Sequence, residues 1–143
     1  MKKSQIYRVE KSELSVLRER LSAPERTWVA EIEGKSIKTY ADYAEQISKC
    51  MKFPSPVEHS IDAYEDWIRG LQWLDSDGYL LVIHDFEEFM KEDSTRWKVV
   101  GSFLDTVLPW WDGEVDKYVT SSDENGMPIN VSKAKPFNVI LVD

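Results

Sequence analysis

Asp62, Glu65 and Asp66 fall close together in the stretch Ser60–Leu71. Carboxylates at that spacing suit either acid–base chemistry or the capture of a cation. Read at 3.6 residues per turn, Ile61, Tyr64, Trp67, Ile68 and Leu71 share one arc of a helix. Asp62, Glu65, Asp66 and Arg69 share the opposite arc, within roughly 100°. Acid–base work needs a cleft, and a helix crest is not one. The carboxylates therefore read as an anionic ridge, complementary to something cationic, on a helix anchored from behind by large apolar groups. The same pattern also describes an ordinary solvated helix face.

The other groups able to do chemistry are few. His59 and His84 are the two histidines. His84-Asp85 stands at the carboxyl end of the apolar run Tyr79–His84, where open α/β sheets place their ligand sites. A small hydrolase or ligand-binding domain using that pair is the alternative to a satisfied strand-end side chain. His59 precedes a helix start and reads as part of a cap or an exposed loop. Cys50 has no histidine near it in sequence and reads as a buried helix residue, not a nucleophile. No Gly-rich phosphate loop, Cys-x-x-Cys, His-Glu-x-x-His or Gly-x-Ser-x-Gly motif is present. Asp75-Ser-Asp77-Gly78 does not complete a calcium loop and reads as a helix-to-strand turn. Neither a catalytic set, a cofactor nor a metal is expected. Trp110-Trp111 is expected to cover the core where the last long helix ends, in preference to forming a sticky patch. Asp85, Glu87 and Glu88 read as a solvated turn, which adds to the acidic field if it lies beside the Asp62 helix.

The elements that must position these residues alternate between strand and helix. Ile6–Val9 reads as a short strand, followed by a helix with Leu14, Leu17 and Leu21, capped by Ser12 and ended by Pro24. Thr27–Glu33 alternates as a strand before a turn at Gly34-Lys35. Thr39 and Asp42 resemble a capping box that opens a helix to Met51, which Pro54 and Pro56 stop. Ser60 caps the acidic helix, which is expected to end near Gly70 to Trp73. The run Tyr79–His84 is continuous, as in a strand buried on both faces of a parallel sheet. A helix from Ser94 or Thr95 runs through Val107 and is ended by Pro109, and Phe137–Val142 is the last strand. Strands separated by helices imply parallel pairing through right-handed crossovers. The connection 112–135 lacks apolar periodicity and reads as a long loop or a hairpin using 118–120 and 129–131.

Composition bounds the reading. The chain has 143 residues with 42% hydrophobic content and six tryptophans, which suits one globular domain. Net charge is −8 and unevenly placed: residues 1–52 carry +3 and residues 53–143 carry −11. An acidic body repels phosphate backbones, which argues against direct nucleic-acid binding and speeds encounter with a basic protein. A single cysteine, no apolar leader and no long apolar run point to a cytoplasmic protein that neither enters a membrane nor forms an internal disulfide. It is expected to act as a monomer.

Order and spacing together resemble the barstar family of ribonuclease inhibitors. The family pattern reads here as Ala30-Glu-Ile-Glu-Gly34, Ile37, Asp42, Phe53-Pro54 and Ile61-Asp62-Ala63-Tyr64-Glu65-Asp66, with a further match at Tyr79–His84 and Phe137–Val142. The resemblance implies a small parallel sheet of about three strands flanked by helices, with a possible fourth strand from the extension 1–26. It also implies that the acidic helix and the loop before it plug the active site of a basic nuclease or toxin. Pro56, Ser60, Asp62, Glu65, Asp66 and Gly70 would then form the partner-binding surface, with Asp62 and Asp66 mimicking substrate phosphate. The family's aromatic, Gly-containing loop is replaced here by Pro56-Val57-Glu58-His59-Ser60, so the loop must run differently and the target need not resemble barnase. A regulatory scaffold that kept the fold without ribonuclease binding is a further alternative.

Overall fold

The computed structural model describes residues 4–22, 26–113 and 134–143. Pro24 and most of the 112–135 connection, including its expected hairpin, lie outside them.

Strands β1 (Ile6–Val9), β2 (Thr27–Glu33), β3 (Gly78–His84) and β4 (Phe137–Val142) form one all-parallel sheet. The order is β1-β4-β3-β2, so the extension does supply a fourth strand, at the β4 edge. Register aligns Ile6, Val139, Leu81 and Ala30 in one row, and Tyr7, Ile140, Val82 and Glu31 in the next. Side chains alternate across a strand, so these rows serve opposite faces. The first belongs to the larger core and the second to a smaller one of Leu17, Leu80, Val82, Ile140 and Val142. Helix α1 (Lys11–Leu21) covers the smaller face with Leu14, Leu17 and Leu21. β3 and β4 are buried along almost their whole length, which explains why Tyr79–His84 reads as a continuous apolar run.

Helices α2 (Tyr40–Cys50), α3 (Ile61–Ile68), α4 (Arg96–Ser102) and α5 (Leu108–Asp112) contribute to the larger core. The α2 box forms as expected: Thr39 Oγ1 accepts from Asp42 N–H at 3.2 Å, and Asp42 Oδ2 accepts from Thr39 N–H at 3.1 Å. Gly34, just after β2, passes so close to the His84 and Asp85 carbonyls that a Cβ would overlap them.

Several helix ends differ in detail from the sequence expectation. Helix α1 begins at Lys11 with Glu10 as its cap, not Ser12, because the Glu13 carboxylate accepts the Glu10 N–H at 3.2 Å. Thr95 occupies the cap position of α4, but the capping-type bonds come from Asp93, whose Oδ1 accepts Thr95 N–H at 2.8 Å and Thr95 Oγ1–H at 2.6 Å. Pro109 does not end the last helix. Residues Phe103–Val107 form a π turn in which Leu108 N–H reaches back to Phe103, and Pro109 sits in the first turn of α5. A wider turn just before a proline absorbs the donor that its ring lacks.

The anionic helix and its loop

Helix α3 is fixed from behind and at both ends. Ser60 Oγ accepts the Ala63 N–H at 3.2 Å, and the Ser60 carbonyl accepts the Tyr40 hydroxyl at 3.1 Å. Tyr40 Oη also lies 2.8 Å from the Val57 carbonyl, so one phenol on α2 secures the loop that feeds α3. Tyr64 and Ile68 are wholly buried, and the Tyr64 hydroxyl meets that of Tyr43 at 2.6 Å. Trp67 packs edge-on against Trp73, which also meets Phe53. At the carboxyl end, Trp111 Nε1–H donates to the Ile68 carbonyl at 3.0 Å, and Trp110 Nε1–H donates to the Arg69 carbonyl at 2.9 Å. Last-turn carbonyls have no partner within their own helix, so two indoles supply it. The tryptophan pair covers the core as expected and in addition clamps the acidic helix. The helix itself stops at Ile68, earlier than expected.

The outer face carries Asp62 and Asp66, both exposed, and the half-buried Glu65. Asp66 pairs with Arg69 at 3.0 Å, while Arg69 Nε–H donates to the Glu65 carbonyl at 3.1 Å and its guanidinium lies 5.5 Å from the Trp110 ring centre. Among the described residues Asp62 forms no ion pair. Three carboxylates against one guanidinium leave a net of two negative charges on the crest. Of the remaining residues expected at this surface, Pro56 is exposed, Ser60 serves as the helix cap, and Gly70 is half-buried. At Gly70 a Cβ would press on Gln72 at 3.0 Å.

The tyrosines report how dry the supporting layer is. Burial, with Glu58 and Glu65 nearby, pushes the Tyr40 phenol up to about 12. Burial likewise raises both Tyr64 and Tyr43. Burial also raises Cys50, whose thiol donates to the Glu31 carbonyl at 3.2 Å, in keeping with a structural cysteine.

The His84-Asp85 pair is engaged in holding α1. His84 Nε2 lies 2.7 Å from Glu31 Oε2, the other Glu31 oxygen meets Arg18 of α1, and Lys11 faces Asp85 at 3.6 Å. His84 is a strand-end side chain with its partner in place. Asp75 adopts a left-handed turn held by the Arg26 side chain, which meets its carboxylate at 2.7 Å, so the Asp75–Gly78 stretch is a turn as expected. Glu88 lies 3.8 Å from Lys91, and the Phe86–Glu88 turn packs against Gly34–Ser36.

Sequence reasoning missed Tyr40, Trp110 and Trp111 as supports of α3. Their roles depend on backbone carbonyls far away in sequence, for which no local signal exists. The Asp66–Arg69 pair did have one, in its i,i+3 spacing.

Fold and site define a class: α/β proteins with a small parallel sheet and an acidic helix set on a rigid aromatic support. The model of the family described as Barstar (barnase inhibitor) matches residues 27–126, and the chain belongs to that family. Its members are inhibitors, and a nuclease such as barnase is the kind of partner they bind. No curated protein matches the chain. Among solved structures, the Aeropyrum pernix ORC2 protein in its ADP form aligns with a TM-score of 0.56 at 10% identity, over 98% of this chain and 35% of that one. The same protein in ADPNP-ADP complexes gives 0.52 at 12% identity, over 97% and 34%. The chain thus spans about a third of the length of those structures. At such identities the likeness is one of fold alone. Among the described residues no helix is long and apolar enough to cross a membrane.

Proposed function

We propose that this protein is an intracellular immunity-type inhibitor that blocks the active site of a cationic ribonuclease or related nuclease toxin with α3. One observation carries the reading: Asp62 and Asp66 stand exposed on a helix whose back and two ends are all fixed. Carboxylates held this way meet a phosphate-binding site with little ordering cost. The Asp66–Arg69 pair does not cancel the ridge. An exposed i,i+3 pair is worth about 0.2–0.5 kcal/mol, whereas removing one partner of a buried charge pair at an interface costs about 2–5 kcal/mol. Asp66 therefore exchanges Arg69 for a partner's cation at small cost. Membership of an inhibitor family supports the same reading.

The test titrates the purified chain against barnase and other small basic ribonucleases, reading RNA cleavage at low and high salt. Inhibition is expected at a one-to-one ratio with at least one of them, weakening with salt. Asp66→Ala should raise Kd by more than about 30-fold, the equivalent of about 2 kcal/mol, and Asp62→Ala should raise it less. If none is inhibited, or if the Asp62→Asn/Asp66→Asn double variant inhibits as well as the parent, the proposal is wrong.

A further inference from the structure

An open groove of about 560 Å³ runs between the outer face of α2 and the loop that leads into α3. Phe53, Pro54 and Pro56 give it an apolar floor. Its charged rim is Glu45, Lys49 and Glu58. Glu45 and Lys49 pair with each other at 3.1 Å, which leaves Glu58 as the uncompensated charge. Ser48 Oγ, also in the lining, is buried without a hydrogen-bond partner. The loop that carries Pro56 and Glu58 leads directly into the acidic helix, and the Tyr40 phenol fixes it there by bonding the Val57 and Ser60 carbonyls.

We infer that this groove receives one long cationic side chain, an arginine or lysine, from the same basic partner that α3 engages. The methylene stem lies along Phe53, Pro54 and Pro56, and the cationic head meets Glu58. This assignment rests on the function proposed above. An apolar floor ending at a carboxylate matches a side chain that is greasy along its stem and charged at its tip. An aliphatic or aromatic side chain would leave Glu58 without a partner, and a phosphate would be repelled by it. The two prolines stiffen the wall, so little ordering opposes entry. Two of its residues, Pro56 and Glu58, belong to the stretch that replaces the family's usual loop, so the site would help set which target this chain recognises.

The probes are N-acetyl-arginine methylamide and its citrulline counterpart, which keeps the shape and lacks the charge. Each is titrated into the full chain while backbone amide resonances are followed. The arginine compound should move the amides of Ser48, Ser55 and Glu58 in a saturable way, with the citrulline compound about threefold weaker. Glu58→Gln, at an exposed position, should remove that difference and raise Kd for an inhibited nuclease about threefold. Equal binding of the two compounds, or shifts that map away from the groove, overturns the inference. The two readings fail separately. Asp62→Asn/Asp66→Asn should leave the arginine shifts in place while releasing the nuclease. Groove binding by a chain that inhibits no ribonuclease would end the assignment of the partner, whereas inhibition indifferent to Glu58→Gln would end the groove and spare the helix.

Discussion

Replacing Tyr64 with Phe tests whether the acidic helix is held by a buried polar contact or by packing alone. The Tyr43 and Tyr64 hydroxyls lie 2.6 Å apart, both wholly buried, with Phe89 edge-on against Tyr43. Tyr64→Phe removes one hydroxyl and leaves that of Tyr43 dry and unpaired. Such a group costs about 1–3 kcal/mol, so a loss near 2 kcal/mol is expected. Tyr43→Phe should cost a similar amount, because it leaves the Tyr64 hydroxyl dry in the same way. The double variant removes both polar groups, so its cost should fall short of the sum by about 1 kcal/mol. Urea unfolding followed by tryptophan fluorescence gives all three values, provided the denaturant slope is unchanged. In a thermal melt the Tyr64→Phe loss corresponds to roughly 6 °C. Costs that simply add would refute the hydroxyl pair as the link between α2 and α3.

Two further outcomes are expected. Leu17→Ala should lower stability by about 2–4 kcal/mol and increase binding of a hydrophobic dye, since Leu17 is the buried centre of the contact between α1 and the smaller core; a change within about 0.5 kcal/mol would show that α1 does not seal that face. Asp93 is held below its ordinary value of 3.8 by hydrogen bonds from Thr95, side chain first and then backbone, and from the Tyr40 N–H. A depressed carboxylate contributes stability above its unfolded pKa and loses it as pH falls through the folded one. Asp93→Ala should therefore cost about 1 kcal/mol at neutral pH, and the gap from the parent should close as the pH falls below 4. A gap that stays constant into acid would show that the charge plays no part.

The strands were legible because their patterns are local. Thr27–Glu33 alternates, while Tyr79–Ile83 is apolar throughout and Phe137–Val142 is apolar but for Asn138, matching an outer strand and two central ones in a parallel sheet. Thr39 and Ser60 announced their helices for the same reason. Pro109 misled because a lone proline signals a stop, while the π turn that accommodates it leaves no mark in composition. The outer face of α3 could be read from periodicity. The indoles of Trp110 and Trp111 could not be assigned to Ile68 and Arg69, because nothing local in the chain names a distant carbonyl.

Strand order imposes a timetable on biosynthesis. Among the described residues β1 pairs only with β4, and Ser4 and Gln5 just ahead of it are tied to Asp112, Phe137 and Asn138. A ribosome therefore releases the amino-terminal segment long before its docking site exists, and α1 must wait for the same event. Until Phe137–Val142 emerges, Leu80 and Val82 lack the neighbour that completes their layer. Chains that stop short of β4 thus display a greasy underside that chaperones and proteases can recognise, and only synthesis past Val142 conceals it.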